Sequence, residues 1–298
     1  MTEYALYLGC TAPVRTLNYE LAARKTASRL GIDLVDIEQF GCCGFPLKSV
    51  HQETALLMSA RNLALAEERG RDICALCSSC TGTLAEANRM LQSDKELRDR
   101  VNQKLEATIG RRYGGSIHVR HFARVLYEEV GLDRIRQAVT TDLSGLRLAA
   151  HNGCHYLKPT EAHDQFDDPE NPHSLDALIA ATGAQSVFYE GREQCCGGGI
   201  LGADEETALA LPRLKLERAV KAGADALVVV CPFCDIMYEF QQRRIEKMYQ
   251  ARYGLPVLFY PQLLGLAMGM SGDEVGLTLN RVKSKKLMAF VHREPAQS

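Results

Sequence analysis

The chain has 298 residues, 46% of them hydrophobic and 24% charged, with a formal net charge of −2. That composition supplies core for about two domains and no electrostatic footprint for nucleic acid. No apolar run approaches the roughly 20 residues that span a bilayer, and Met1-Thr2-Glu3-Tyr4 begins neither a charged n-region nor an apolar h-region, so the expectation is a cytoplasmic protein with no direct membrane insertion.

In chain order, the apolar run 4–8 reads as a strand ending at Gly9-Cys10, and a helical stretch follows over 17–30. Residues 32–37 read as a second strand, the pair Cys42–Cys43 follows, and 52–69 has the pattern of a long amphipathic helix. A third apolar run, 73–76, reaches Cys77, after which a helix over 82–105, a strand at 117–119 and a helix at 122–130 are expected. The second half repeats this order. Residues 146–150 lead to Cys154, a helix lies near 175–182, a strand over 186–189, then Cys195–Cys196 and a helix over 205–222. The continuous apolar run 227–230 suits a strand buried on both faces and ends at Cys231; a helix to about 253, a strand at 257–260 and a helix near 262–270 follow. Short strands alternating with helices imply βαβ units. The expected fold is α/β: two duplicated Rossmann-like lobes with parallel sheets, their cysteine loops at the carboxyl ends of the strands, where open α/β sheets gather ligands. Thr-Thr-Asp-Leu-Ser-Gly at 140–145 reads as the linker, dividing a first lobe, 1–143, from a second, 144–298, that includes a C-terminal tail.

Ten of the eleven cysteines form two copies of one pattern: a lone cysteine, an adjacent pair, then Cys-x-x-Cys. The first copy is Cys10, Cys42, Cys43, Cys77 and Cys80; the second is Cys154, Cys195, Cys196, Cys231 and Cys234, offset by 144, 153, 153, 154 and 154 residues. Thiolates gathered twice at matching places mean soft-metal chemistry. A disulfide framework suits a short secreted chain, not one of this length with an odd cysteine count. Two structural zinc sites are the alternative, since Cys-x-x-Cys is also a zinc signature, but zinc closes with four ligands and leaves the fifth thiolate idle. An ordinary cubane also takes four. Cys74 has no counterpart, Val228 standing in the matching place, and reads as a small buried apolar residue. Cys77 and Cys231 precede helix starts, whose free N–H groups favour thiolate. The glycines beside the pairs (Gly41, Gly44, Gly197, Gly198 and Gly199) allow tight turns and close approach to a bulky group.

The double spacing, together with Gly9-Cys10, Gly153-Cys154-His155-Tyr156-Leu157-Lys158-Pro159 and Cys231-Pro232-Phe233-Cys234, resembles the CCG domains of the B subunits of heterodisulfide reductases and their relatives. These include the B-type proteins of sulfur-oxidising, heterodisulfide-reductase-like complexes. The resemblance covers nearly the whole chain. It implies two non-cubane [4Fe-4S] clusters, each held by one set of five cysteines, and a disulfide/thiol oxidoreductase subunit that cleaves or forms a disulfide or thiol-bound sulfur. It further implies a flavoprotein partner of the A type, a ferredoxin-type partner of the C type, and a thiol, a disulfide or a protein-bound sulfur carrier as substrate. The chain has no four-cysteine ferredoxin run of its own. A different relative, the lactate-utilisation iron–sulfur protein, would make it an electron-transfer subunit that never touches substrate.

Outside the cysteines, His155 and Lys158 are the candidate proton donors to a leaving thiolate. Thr11 and Asn152 could donate hydrogen bonds to cluster sulfurs. His118 and His121 read as structural, and Arg243, Arg244 and Lys247 as a solvated helix face. The second copy's wider first gap places an insertion at 159–172, polar and proline-punctuated. It is expected to be a loop bordering the substrate entrance or a docking surface, with Phe166 as its large apolar contact.

Overall fold

In the computed structural model of the chain, the residues described are 2–283 together with Lys286, Leu287 and Ala289. Among them, eight short strands form: β1 (Thr2–Tyr7), β2 (Ile32–Asp36), β3 (Ile73–Ala75), β4 (Val119–His121), β5 (Arg147–His151), β6 (Gln185–Val187), β7 (Ala226–Val229) and β8 (Val257–Phe259). They build two four-stranded sheets of orders β2-β1-β3-β4 and β6-β5-β7-β8, with every pairing parallel. Strands β3, β7 and β8 are buried at every residue. Helices cover both faces of such a sheet, which is why these strands read as continuous apolar runs and not as alternating ones. The fold is the duplicated α/β architecture that the element pattern implies.

Strand order then decides where the cysteines go. The chain leaves β1 for β2 on one side and reaches β3 on the other, so the crevice beyond β1 and β3 is a topological switch point. Tyr7 is in register with Ala75, and His151 with Val229. Cys10 and Cys77 therefore follow neighbouring strand ends, as do Cys154 and Cys231.

Several elements differ from expectation. The helix expected over 82–105 is two helices, Ser78–Ser93 and Lys95–Ile109, because Asp94 turns extended and its carboxylate caps the Leu97 N–H at 2.9 Å. Strand β4 lies two residues later than the apolar run suggested. The helix at 122–130 is one turn, Phe122–Arg124, passing into a π-helical stretch, Val125–Val130, and the helix to 253 is interrupted in the same way at Ile236–Phe240. No helix among the described residues is long and apolar enough to cross a membrane.

The two sheets are tied together at one backbone group. The Val230 carbonyl accepts from Tyr19 Oη at 3.2 Å and Ser78 Oγ at 3.4 Å. His121 Nε2 lies 2.8 Å from it, and because His121 Nδ1 accepts the Ala123 N–H, Nε2 carries the proton and donates. Tyr19 also stacks on Phe259, ring centroids 4.0 Å apart. A second tie is made by Arg124, buried at the end of the first half. It pairs with Glu128 at 2.6 Å, donates to the His163 carbonyl at 2.9 Å and to Asp164 at 3.1 Å, and covers the Phe166 ring at 4.7 Å.

Arg124→Ala should cost about 1–3 kcal/mol, because it removes a charged hydrogen bond to the His163 carbonyl and the pairing with Glu128 and strips the cover from Phe166. Equilibrium urea denaturation reads this directly; a midpoint equal to that of the parent chain would show that the tie carries no stability.

Candidate metal centre

The first five cysteines, Cys10, Cys42, Cys43, Cys77 and Cys80, line one pocket, walled by Phe45, Pro46 and, from the second half, Phe233. Sulfur contacts continue out of it. Cys43 lies between Cys42 and Cys80, Cys80 bonds to Cys77, and Cys77 Sγ is 3.9 Å from Cys231 Sγ. Cys231 bonds to Cys234, Cys234 to Cys196, Cys196 to Cys195 and Cys195 to Cys154. Nine thiols thus form one string running from one half of the chain into the other. Cys10, exposed, flanks it with Sγ 3.8 Å from Thr11 Oγ1.

Every third thiol along the string favours the thiolate form, each between two that favour the thiol. Cys43, Cys195 and Cys231 each take thiol hydrogen bonds from two neighbours and are held below the ordinary thiol range. Their six donors, Cys42, Cys80, Cys77, Cys234, Cys196 and Cys154, are pushed up, by those same bonds and by burial. The amides of Phe233 and Cys234, at the start of the helix Pro232–Asp235, add to the lowering at Cys231. Cys77 also precedes a helix, Ser78–Ser93, but its bond to Cys231 dominates and drives it the other way.

The loops that carry the pairs are shaped by backbone. Gly44 and Gly197 both adopt positive φ, and a Cβ at either would lie 2.7 or 2.5 Å from a helix carbonyl, of Ala55 or Ala208 respectively. Only glycine permits that approach. Their amides turn back to Cys42 Sγ at 3.5 Å and Cys195 Sγ at 3.3 Å. Gly198 sits against Phe233 and Cys196, whereas a Cβ at Gly199 would meet nothing. The run Gly197-Gly198-Gly199-Ile200-Leu201-Gly202 spells G-x-G-x-x-G, but it follows a cysteine pair and not a strand end, so it lacks the setting of a dinucleotide fingerprint.

Polar residues that belong to no sequence motif hold these loops. In the first half, Asn62 accepts from Gly41 N at 2.9 Å and donates to the Cys42 carbonyl at 3.1 Å, while Ser59 donates to the Cys43 carbonyl at 2.7 Å. In the second, Lys215 donates to the carbonyls of Arg192 and Gln194 at 2.8 and 2.6 Å. Its third contact is His151 Nδ1, and His151 Nε2 lies 3.1 Å from Cys234 Sγ. The available signal was positional: the offset between the cysteine pairs also relates Asn62 to Lys215.

His155, beside Cys154, is partly buried, packs edge-on against Phe45 at 5.0 Å and is pushed down by burial. Lys158 is half exposed and paired with Glu170 at 2.8 Å. The buried Asn152 Oδ1 has no hydrogen-bond partner. Cys74 is fully buried in β3, His118 is exposed, and Arg244 pairs with Glu205 across exposed helix faces. In the insertion, Phe166 packs edge-on against Tyr156 at 5.3 Å and the Glu161 carbonyl accepts from Arg89, so the loop is anchored to both halves. Among the described residues no three His, Cys, Asp or Glu side chains close around one metal-ion position; the thiols are strung out instead.

A family model described as a cysteine-rich domain, CCG, matches twice, over residues 4–85 and 148–239. The chain is therefore a duplicated CCG-domain protein. It is 36% identical over 296 residues, 98% of each chain, to the B subunit of the ferredoxin:CoB-CoM heterodisulfide reductase of Methanosarcina mazei. It is also 36% identical to a protein of Archaeoglobus profundus described as like the B subunit of heterodisulfide reductase, over 92% of this chain and 93% of that one. The 8-methylmenaquinol:fumarate reductase membrane anchor subunit of Wolinella succinogenes is 32% identical, over 96% and 99%. A crystal structure of a hypothetical protein from Helicobacter pylori shares the fold, with a TM-score of 0.78 at 17% identity, covering 96% of this chain and 53% of that one. The chain belongs to the family of heterodisulfide reductase B subunits.

Gly44→Ala or Gly197→Ala should destabilise the chain by about 1–3 kcal/mol through forced positive φ and a clash with helix backbone. Thermal melts with thiol accessibility to a maleimide would check this. Unchanged melting and labelling would mean that these turns relax freely.

Proposed function

We propose that the chain is the iron–sulfur catalytic subunit of a heterodisulfide-reductase-type complex, forming or cleaving a disulfide or a thiol-bound sulfur where its two cysteine sets meet. The observation that carries this reading is the contact between Cys77 and Cys231, which joins sulfurs of the two five-cysteine sets into one string. The donor set suits an extended, sulfur-loving, polynuclear group: five thiols face one pocket whose remaining walls include Phe45, Pro46 and Phe233. Cys10, Cys42, Cys43, Cys77 and Cys80 would hold one non-cubane [4Fe-4S] cluster, and Cys154, Cys195, Cys196, Cys231 and Cys234 the other. Such groups, when bound, supply one electron each to a bond that needs two.

The chain's own residues supply placement and a partly buried setting. The Val230 carbonyl fixes Cys231 against Cys77, the two glycine turns set the cysteine pairs, and the inner sulfurs of Cys43, Cys77, Cys80, Cys196, Cys231 and Cys234 are buried while Cys10 and Cys195 face the surface. His155, next to Cys154 and against Phe45, is the nearer of the two proposed proton donors; Lys158 is joined to Glu170 on the insertion. Similarity to the B subunits of the methanogen enzymes supports an assembly of several chains, with an A-type flavoprotein and a C-type ferredoxin-like protein as partners, and a small thiol or a sulfur-carrier protein as substrate. A second reading, electron relay without substrate contact, is favoured by the similarity to the Wolinella fumarate reductase subunit.

Anaerobically purified protein should contain about eight irons and eight acid-labile sulfides per chain, and Cys10→Ser or Cys154→Ser should each remove about half. A colourless chain with about one or two zinc ions and no sulfide would replace this reading with structural zinc. Addition of candidate thiols during EPR separates the two functional readings: a signal that changes with a thiol supports catalysis, and one indifferent to all of them supports relay.

A further inference from the structure

The two halves are alike in their sulfurs and unlike in the charge placed behind them. The offset of 144 residues that relates Cys10 to Cys154 also relates Tyr7 to His151, both at the ends of central strands, and the offset of 153 relates Asn62 to Lys215. In the first half this pair is neutral: Tyr7 Oη donates to the Gly41 carbonyl at 2.6 Å, and Asn62 Nδ2 donates to Tyr7 Oη at 3.3 Å. In the second half Lys215, 2% exposed, holds three acceptors at 2.6–2.9 Å: the carbonyls of Gln194 and Arg192 and His151 Nδ1.

An ammonium has three donors and no acceptor, so these partners use all three. His151 Nδ1 must then accept, which puts the ring proton on Nε2, 3.1 Å from Cys234 Sγ. Among the ion pairs of the described residues Lys215 has none; Glu193 acts on it from a greater distance. The second cysteine set alone therefore receives an N–H···S hydrogen bond from a buried histidine that is itself backed by a buried cation.

We propose that Lys215 and His151 make the two sets electrically unequal, so that the iron–sulfur group held through Cys234 accepts an electron at a higher potential than the one held by the first five cysteines. This rests on the iron–sulfur reading above. A buried positive charge favours added negative charge nearby, and hydrogen bonds to ligand sulfur act in the same direction. His151 touches the ligand sulfur; Lys215 is a positioning residue, acting through the ring. The first of two electrons then rests in the second half of the chain, giving a two-electron bond exchange a fixed order.

The test is an anaerobic potentiometric EPR titration of the full chain after iron and sulfide assay. Absence of iron and sulfide overturns the iron–sulfur reading and this inference with it. In loaded protein, two one-electron waves are expected, at least tenfold apart in equilibrium constant, about 59 mV. His151→Tyr with Lys215→Asn, which writes the first half's pair into the second, should lower the upper wave by at least tenfold and leave the lower one in place. Lys215→Met should do the same, and Lys215→Arg, keeping the charge, should stay within threefold of the parent. Coincident waves in the parent chain, loaded variants whose waves do not move, or a Lys215→Arg shift as large as that of Lys215→Met overturns the inference alone. So does loss of all iron from both charge-removing variants, which would mark Lys215 as a structural cap for residues 192–194.

Discussion

One backbone oxygen organises the centre of this molecule. The Val230 carbonyl is the last acceptor before Cys231, and three donors from the other half of the chain converge on it: a helix tyrosine, a serine at the start of a helix and a strand-end histidine. A carbonyl has two lone pairs, so three donors leave it little freedom to move. Because Ser78 directly follows Cys77, the bond that fixes Val230 also fixes the two sulfurs on either side of the seam. The aromatic stack of Tyr19 on Phe259 and the clamp of Arg124 on the insertion reinforce a geometry that this oxygen defines.

Duplication has kept some features and released others. Gly44 and Gly197 face Ala55 and Ala208 through the same forbidden Cβ approach; a tight turn has one backbone solution, and any side chain there is excluded in both halves. The polar residues behind the turns had more freedom, because several hydrogen-bonding groups can hold the same carbonyls. There the two halves have diverged, to an amide in one and a cation in the other. Shared geometry with unshared charge is what an ancestral repeat becomes when its copies take different places in one site.

Much of this was legible in the residues. The repeated cysteine spacing, the parallel sheets and the strand-end loops all follow from local pattern, because a buried strand needs an apolar run and a switch point needs only strand order. What was not legible has particular causes. The break at Asp94 lay inside a stretch whose helical pattern runs on through it, and only its capping role distinguishes it. The π-helical turns at 125–130 and 236–240 carry no propensity signal distinct from an α-helix. Lys215 lies among the apolar positions of the helix Glu205–Lys221, and a lysine there reads as surface until the tertiary fold buries it. The insertion's anchoring by Arg124 and Arg89 depends on residues far away in the chain.

Nine thiols strung this close together have a chemical fate of their own when they meet oxygen. Each sulfur that favours the thiolate lies between two thiols, so every electron-rich sulfur already has oxidisable neighbours, the arrangement from which disulfides grow most readily. In air, the string would lock itself, and a bond between Cys77 and Cys231 would weld the two halves covalently. Order of handling then becomes part of the chemistry. Reductant has to reach the buried sulfurs first, and a preparation that has once been oxidised carries that history in its crosslinks.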